Sequence, residues 1–306
     1  MITLDKRLGV MNNPEKSEVN QLLKEVSRLS FEYDVQPGIW RTYKTKGFMN
    51  VMKVYETVTG TMKNYADDAM KKFDGAKPSP DHEAGIFEKL MRIDKHVAFV
   101  MVLDSLIAGV DTTTTALAST LYMLAKNPEK QEILRKEILN ILPEKSSKLT
   151  PQSLNSVPYL RAVIKEALRL HPPINGNARE SGVDLVLQGY QIPKQTMMVL
   201  ATHTTSLDDK YFERSKEFIP ERWLKNNTDA SCPHTKDAHP FAYLPFGFGP
   251  RMCIGRRFAE LEIEVLTIRM IREFVLEWNR PDLKFKSFTF NTPGDPLKFK
   301  ITDTNV

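Results

Sequence analysis

Apolar residues recur every three or four positions through most of the first two thirds of the chain, which is the spacing of one face of an α-helix. The predicted helices lie at about 48–73, 85–126 and 157–170. Asn127 and Thr150 each stand directly before a proline, and both are good capping residues, so each predicts the start of a new helix. The earliest helical pattern is formed by Val19, Leu22, Leu23, Val26 and Leu29.

The pattern changes after the His-Pro-Pro sequence at 171–173, because a residue before proline avoids helical backbone angles. Short segments at Val183–Ile192 and Thr196–Leu200 predict strands joined by turns. A last amphipathic helix is predicted at about Ile254–Phe274. Many helices with a few small sheets predict a mainly α fold. No internal repeat is visible.

Composition excludes the disordered and collagen-like classes, because 41% of the 306 residues are hydrophobic and 26% are charged. The net charge of +5 favours an acidic partner or an anionic membrane surface if it is concentrated on one face. No run of about 18 apolar residues predicts a membrane span, since the best candidate, Val97–Val110, is short and contains Asp104. Cys232 and Cys253 are too few for a disulfide scaffold, which favours a reducing compartment.

The segment from Ile39 to Lys46 combines aromatic and basic residues and has two interpretations. One is an ordinary surface loop. The other is a contact with the membrane interface, because Trp and Tyr sit well among lipid headgroups, and Lys and Arg attract anionic lipids.

The stretch from Phe246 to Gly255 has the clearest chemical meaning, because glycines bracket Cys253 where a loop leads into a helix. Glycine allows backbone angles and close approaches that a side chain would block. Cys253 is predicted at the start of the following helix, whose partial positive charge and unpaired N–H groups favour the thiolate. The loop leaves room for a flat ligand, and Arg251 is placed to meet the carboxylates of such a ligand.

A buried cysteine in a glycine-rich turn is the simpler explanation of a single Cys with a single Gly. A zinc site fits poorly, because no second Cys or His stands at ligand spacing. The loop resembles the haem-binding loop of the cytochrome P-450 family, which has Phe, two residues, Gly, one residue, Arg, one residue, Cys, one residue, Gly. The matching residues are Phe246, Gly249, Arg251, Cys253 and Gly255.

The resemblance implies the cytochrome P-450 fold, which is mainly α with small β-sheets, and a haem b (iron protoporphyrin IX) cofactor. Cys253 would be the axial ligand of the haem iron, with Gly247 also at the cofactor. A thiolate ligand pushes electron density onto iron and favours O–O cleavage.

The helix predicted at 85–126 contains Gly109-Val110-Asp111-Thr112, which breaks the local rules of a helix interior. Glycine there costs roughly 1 kcal/mol relative to alanine, and Asp and Thr prefer helix caps. Such exceptions are common at functional sites, although a kinked core helix with solvated threonines has the same residues. The resemblance implies oxygen activation, in which Gly109 opens the helix for dioxygen, Thr112 hydrogen-bonds it and Asp111 relays protons.

Glu166 and Arg169 are three residues apart on a predicted helix, and alone they indicate a surface ion pair worth less than about 1 kcal/mol. A Pro-Glu-Arg-Trp sequence that contains Arg222 follows at the distance expected of the family's third member. The resemblance implies a buried triad of these three residues, which locks the loop beneath the haem. Arg179 by itself would be taken as a solvent-facing residue. The resemblance implies that it contacts one haem propionate and that Arg251 contacts the other.

The resemblance covers essentially the whole chain, yet family members usually run to about 500 residues. We therefore expect the chain to lack an N-terminal portion of the fold. That portion would hold the targeting segment, most of the large sheet and a helix that contacts the propionates.

Four basic residues resemble the ferredoxin-docking positions of the mitochondrial class. They are Arg161, Lys165, Arg256 and Arg257. Complementary charge would steer an acidic ferredoxin onto the thiolate side of the haem, although a solvated basic face explains the same residues. The segment Ile2–Gly9 also resembles this class, and the whole chain resembles insect mitochondrial members associated with xenobiotic oxidation. The implied location is peripheral, on the matrix side of the mitochondrial inner membrane.

The resemblance implies a single, partial cytochrome P-450 domain over residues 1–306. Its implied function is that of a haem-thiolate monooxygenase, which inserts one atom of dioxygen into a lipophilic substrate, xenobiotic or steroid-like. Electrons would come from NADPH through a reductase and an adrenodoxin-like ferredoxin, and no nucleic-acid partner is expected. The pocket would draw on the oxygen helix, on Ile174–Asn177 and on a final hairpin near Phe288–Asn291. Two alternatives stay open: a non-catalytic haem-binding or partner-binding fragment, and the same enzyme with a microsomal flavoprotein reductase as its donor.

Overall fold

The computed structural model describes residues 38–74, 85–144, 146–225, 231–235, 238–287 and 290–304, with a few residues between 21 and 33. The chain divides into two compact units, Met1–Asp111 and Thr112–Val306, and each is described by itself. The segment Ile2–Gly9, which resembles the mitochondrial class, lies outside the described residues. So do residues 19, 22 and 23 of the first helical pattern and residues 288 and 289 of the predicted final hairpin.

The described part of the first unit is helical. Its helices are α1 (Lys46–Asp74), α2 (Ile86–Ile93) and the first half of α3 (Lys95–Lys126). Helix α1 lies within two residues of its predicted bounds at each end. Two small apolar clusters stabilise this unit. One contains Ala66, Phe87, Ala98 and Val102, and the other contains Val26, Val58 and Met62.

The prediction of one helix over 85–126 is wrong, because the chain breaks at Asp94. Asp94 is extended, with φ −161° and ψ 132°. Its carboxylate accepts hydrogen bonds from the backbone N–H of His96 at 2.7 Å and of Val97 at 3.0 Å. Both bonds lower the pKa of Asp94, and the bond from Val97 has the larger effect. Asp94 therefore caps α3, which begins a new helix.

The described residues of the second unit form five further α-helices. They are α4 (Pro128–Ile141), α5 (Pro151–Leu154), α6 (Pro158–Leu170), α7 (Thr202–Ser206) and α8 (Arg256–Glu273). Thr150 caps α5 as predicted, in a reciprocal capping box with Ser153. Asn127 precedes α4 as predicted, but its side chain does not cap that helix. Its Nδ2 donates instead to the carbonyl oxygen of Met123 at 2.7 Å, so Asn127 closes the end of α3.

Helices α4, α6 and α8 pack against one another around the main apolar core of the second unit. Fully buried members of this core include Leu134, Ile138, Leu160, Val163 and Ile271. Helix α3 is long and apolar enough to qualify as a membrane span. The sequence analysis predicted no span, because it required an uninterrupted apolar run. The core helix of a water-soluble protein passes the same test, but only 12% of the apolar window is buried in this protein. The buried residues 118–125 lie at the end of α3.

The strands that the structure describes in the second unit form four antiparallel two-stranded sheets. They pair β1 (Asn177–Glu180) with β4 (Met197–Leu200), β2 (Leu185–Leu187) with β3 (Tyr190–Ile192), β5 (Phe274–Glu277) with β8 (Lys300–Asp303), and β6 (Phe285–Ser287) with β7 (Asn291–Pro293). The turn from β2 to β3 has positive φ at Gln188 (51°) and Gly189 (84°), as tight hairpin turns require. The mainly α architecture with small sheets is confirmed.

His171 closes the C-terminal end of α6 in an aromatic environment. Its ring stacks on Phe285 with centroids 4.6 Å apart and meets Tyr122 edge-on at 6.0 Å. Burial lowers the pKa of His171 from 6.5 to about 4, and the nearby His203 and Lys126 add to this. The folded protein therefore holds this imidazole in its neutral form at neutral pH.

We predict that the free energy of unfolding falls as the pH decreases from 6.5 to about 4. The unfolded chain takes up the proton of His171 first, so this contribution is complete above the unfolded pKa and is lost below it. The total loss is about 3 kcal/mol. Urea unfolding across this range, for wild type and His171→Phe, measures it. Phe keeps the stacking but binds no proton, so equal pH dependence in the two proteins contradicts the prediction.

Candidate functional site

Residues 246–255 form a loop that is closed by its own backbone hydrogen bonds. The N–H of Cys253 donates to the carbonyl oxygen of Phe246 at 2.8 Å, and the N–H of Met252 donates to that of Gly249 at 3.0 Å. Gly247 and Gly249 both have φ of +70°, in the left-handed region that favours glycine. These two glycines therefore give the loop its turn.

Cys253 lies just before helix α8 and not in its first turn. The helix begins at Arg256, two residues after the predicted start at Ile254, with Gly255 at the N-cap. The positive end of the helix therefore still adjoins the cysteine. A Cβ on Gly255 would stand 4.0 Å from the Cys253 Sγ, at ordinary van der Waals distance, so the N-cap residue adjoins the sulfur.

Cys253 is exposed, and several large apolar residues near it in the loop are exposed as well. Phe248, Met252 and Ile254 are exposed, Ile254 to 81%. Contiguous exposed apolar residues indicate a binding surface. No group of three His, Cys, Asp or Glu side chains able to hold a metal ion occurs among the described residues, so this loop offers one metal ligand. A flat apolar cofactor that brings its own iron, such as haem, fits this donor and this surface.

The sheet of β1 and β4 contacts the cysteine loop. A Cβ on Gly247 would stand only 2.9 Å from Oδ1 of Asn177, the first residue of β1. Arg179 lies two residues further along β1, on the same face as Asn177. Its guanidinium donates to the carbonyl oxygen of Ala178 at 2.8 Å. The structure thus brings the strand of Arg179 to the loop that carries the exposed Arg251.

Gly109, Asp111 and Thr112 lie in a continuous stretch of α3. None of the described side chains comes within 4 Å of a Cβ built on Gly109, so the space beside this glycine is open. Gly109 and Asp111 belong to the first unit, and Thr112 belongs to the second. Their roles in oxygen activation stay predictions.

Glu166, Arg169 and Arg222 form a buried cluster, so the first two are not a surface ion pair. Glu166 and Arg169 are 0% exposed and Arg222 is 1% exposed. Oε1 of Glu166 accepts from Nη2 of Arg169 at 2.8 Å and from Nε of Arg222 at 3.0 Å. Trp223, which was not predicted as a site residue, donates from its indole to Oε2 of Glu166 at 2.8 Å.

The two buried arginines also hold the irregular chain between α7 and residue 222. Their remaining N–H groups donate to backbone carbonyl oxygens of that segment. The acceptors are Ser206, Ser215 and Glu217 for Arg169, and Glu213 and Arg214 for Arg222. Four of these five carbonyls belong to no regular element, and the fifth is that of Ser206 at the end of α7. The guanidinium groups therefore replace the secondary-structure bonds that the segment lacks.

The predicted docking residues on α6 and α8 lie among carboxylates. Nε of Arg161 is 3.1 Å from Oε1 of Glu264, and Nε of Arg256 is 2.9 Å from Oε1 of Glu260. Partial burial, followed by the charge of Arg256, lowers the pKa of Lys165. Arg256 therefore lies close to Lys165, and the structure brings residues of the two helices together.

Two further basic residues belong to this surface. Arg257 is exposed at the start of α8. Lys225 was not predicted, but its charge also lowers the pKa of Lys165, so it lies nearby. Its only sequence signal is its place just after the Pro-Glu-Arg-Trp sequence.

The family model described as Cytochrome P-450 matches residues 1–301. The chain belongs to the cytochrome P-450 family, whose members carry haem. Two solved structures have the same fold. A cytochrome P-450 titled CYP102L1 has a TM-score of 0.80 at 21% identity and covers 98% of this chain and 64% of its own. The retinoic acid-bound cyanobacterial CYP120A1 has a TM-score of 0.76 at 24% identity, with 95% and 64% covered.

The curated relatives are insect proteins, and several are named mitochondrial. CYP12A2 of Musca domestica is 42% identical over 100% of this chain and 60% of its own length. The probable mitochondrial cytochromes P-450 12b2 and 12a5 of Drosophila melanogaster are 42% and 41% identical, over 98% and 99% of this chain and 57% and 59% of their own. The predicted resemblance is confirmed. The chain spans about 60% of the length of these relatives.

Proposed function

We propose that the protein is a haem-thiolate monooxygenase that inserts one atom of dioxygen into a lipophilic substrate, xenobiotic or steroid-like, and reduces the other to water. The observation that carries this proposal is the exposed thiol of Cys253 on a closed, apolar loop in a cytochrome P-450 chain. Bound haem b would supply the oxygen-activating chemistry. Since the family model runs through both compact units, we expect them to form one domain.

The residues of the chain would divide the work of holding the cofactor. Cys253 would bind the iron as thiolate, and Arg179 and Arg251 would neutralise the two propionates. The floor beneath the cofactor would be Phe246, Gly247, Gly249 and Gly255. On α3, Gly109 would leave space for dioxygen, while Thr112 would hold it by a hydrogen bond and Asp111 would pass protons from solvent.

The carbon monoxide complex of the reduced, full-length protein tests the proposal. A thiolate ligand is expected to give the red-shifted Soret band typical of this class. Absence of the band in protein that retains haem would overturn the assignment.

The basic surface around Lys165 supports a ferredoxin as the electron donor, with an NADPH-dependent reductase behind it. The relatives named mitochondrial favour the same donor, since ferredoxin is the donor of the mitochondrial class. Glu260 and Glu264 would hold the guanidinium groups of Arg256 and Arg161 in fixed orientations for an acidic partner. Reconstitution with a microsomal flavoprotein reductase tests the alternative donor, and higher turnover with that reductase would favour it.

We predict that Arg256→Glu combined with Arg257→Glu raises the KM for ferredoxin by about 10-fold or more, because it reverses two charges on the docking surface. Turnover supported by an organic hydroperoxide, which needs no electron donor, should stay unchanged. Arg280→Glu, at an exposed position outside this surface, is the matched control. Unchanged ferredoxin-supported turnover in the double variant would exclude docking at these residues.

A second candidate function is a haem-binding or partner-binding polypeptide without catalysis. Haem retention and turnover of this chain, compared with those of a version extended upstream, distinguish the two. Equal turnover would reject the second candidate.

We propose that the protein is mitochondrial, since several of its relatives are named so. We further propose that it lies peripherally on the matrix side of the inner membrane. In the aromatic and basic segment, Ile39 and Tyr43 are more than 70% exposed, as a membrane contact requires. Trp40 stacks on Phe48 with centroids 5.2 Å apart, which anchors the segment to α1. Sedimentation with cardiolipin-containing vesicles tests this contact, and equal binding by Ile39→Ser/Tyr43→Ser would argue against it.

A further inference from the structure

Asn291, the first residue of β7, joins the C-terminal hairpin to the segment that follows α6. Its side chain is almost fully buried. Its Nδ2 donates to the carbonyl oxygen of Pro172 at 2.8 Å and to Oδ1 of Asn175. Its Oδ1 accepts from Nδ2 of Asn175 at 3.0 Å and from Oγ of Ser287 at 2.5 Å. The side-chain amide therefore uses both of its donors and both of its acceptor positions.

The backbone of Asn291 adds a further bond, since its N–H donates to the carbonyl oxygen of Pro173 at 2.7 Å. Asn291 thus holds the segment at Pro172, at Pro173 and at Asn175. Ile174 lies between these fixed points, and its side chain is 43% exposed. A clamped backbone that presents an exposed apolar side chain is suited to shaping a pocket, because the side chain cannot move away when a ligand presses on it.

The same segment is held tightly at its other end. A Cβ on Gly176 would stand 2.5 Å from the carbonyl oxygen of Leu200, so the backbones of the segment and of β4 touch directly. The next residue, Asn177, contacts Gly247 of the cysteine loop. A continuous series of contacts therefore runs from Asn291 to the loop that carries Cys253.

We propose that Asn291 is a positioning residue that fixes Ile174 relative to the cysteine loop and thereby determines which part of a lipophilic substrate reaches the haem. The inference rests on the proposed function. Replacing Asn291 by Ala leaves the Pro172 carbonyl and the Asn175 amide without these partners, so the segment gains freedom while the cysteine loop keeps its own hydrogen bonds. The expected consequence is a changed shape of the space above the iron, with the iron ligand unchanged.

Two iron-binding probes of different length test this in the full-length holoenzyme. Imidazole needs little space above the iron, whereas 4-phenylimidazole extends further toward the pocket wall. For Asn291→Ala we expect the Kd of imidazole, read from the Soret shift, to stay within about 2-fold, and that of 4-phenylimidazole to change by about 5-fold or more. General destabilisation would alter both constants alike. An unchanged ratio of the two constants would overturn the proposal.

Asn175→Ala removes the same amide pair at an exposed position, and it replaces Asn291→Ala if that variant loses haem. Asn175→Ala should change the ratio in the same direction but by a smaller factor, because Asn291 keeps its bond to the carbonyl oxygen of Pro172. The double variant should add little to Asn291→Ala, because that substitution has already broken the amide pair. Asn279→Ala, an exposed asparagine outside the segment, should leave the ratio unchanged. The carbon monoxide spectrum of the wild type distinguishes failure of the proposed function from failure of the Asn291 proposal. If the red-shifted band is absent, the proposed function is refuted. If the band is normal and the ratio is unchanged, only the role of Asn291 is refuted.

Discussion

Cys253→Ala is expected to abolish the red-shifted Soret band of the reduced carbon monoxide complex. The reason is that this band requires a thiolate ligand, and Cys253 is the exposed thiol on the loop that we propose holds the haem. The measurement is the reduced carbonyl spectrum at matched haem content. We expect a complete loss of the band, with haem retained weakly through the apolar surface around the loop.

The second cysteine provides a matched control for this variant. Cys232 is only partly exposed, and its thiol donates to the carbonyl oxygen of Pro233 at 3.6 Å. Cys232→Ala removes one thiol from the same chain and should leave the band intact. A band that persists in Cys253→Ala, or that disappears in Cys232→Ala, would place the iron ligand elsewhere.

Glu166→Ala is expected to lower the free energy of unfolding by about 3–5 kcal/mol, because it leaves two buried guanidinium groups without their counter-charge. The Glu166 carboxylate accepts five N–H groups, four from side chains and one from the backbone of Ile219. Arg169 and Arg222 in turn hold the irregular segment after α7. Urea unfolding gives the change in stability, and haem retention shows whether the loop region still forms.

A second Glu–Arg pair with the same spacing serves as the control. Arg214 and Glu217 are three residues apart, with Nη2 2.5 Å from Oε2, but about half of each side chain is exposed. Water screens this pair, so Glu217→Ala should change stability far less than Glu166→Ala. Similar losses in the two variants would mean that the buried charges are not what stabilises this region.

The periodic and capping signals predicted most helices because they act within a few residues. For example, Pro151 at the first helical position and the Thr150 cap before it correctly predicted the start of α5. Asp94 was missed, although Asp is a strong capping residue, because the apolar pattern continues through the break. The N-terminus of α6 shows the opposite case. It is capped by Glu137 of α4, whose carboxylate accepts from the N–H groups of Tyr159 at 2.8 Å and Leu160 at 3.0 Å. No local pattern announces a cap that comes from another helix.

The cysteine loop was predictable because its chemistry is local. Its glycines, its arginine and its cysteine lie within ten residues, and its turns depend on backbone angles that glycine favours. The partners of the loop were not predictable in this way. Asn177, which contacts Gly247, and Asn291, which holds the segment leading to it, are ordinary polar residues in the sequence. Only the packing of strands that are distant in the chain gives them these contacts.

The sequence by itself therefore determined the helical character of the chain, the cysteine loop and the family to which they belong. The tertiary structure decided which charges are buried. Glu166 with Arg169, and Arg214 with Glu217, have the same spacing and the same charges, yet the first pair is fully buried and the second is half exposed. Local spacing sets whether two side chains can meet. Their burial depends on residues far away in the chain, which exclude water from one pair and leave the other in it.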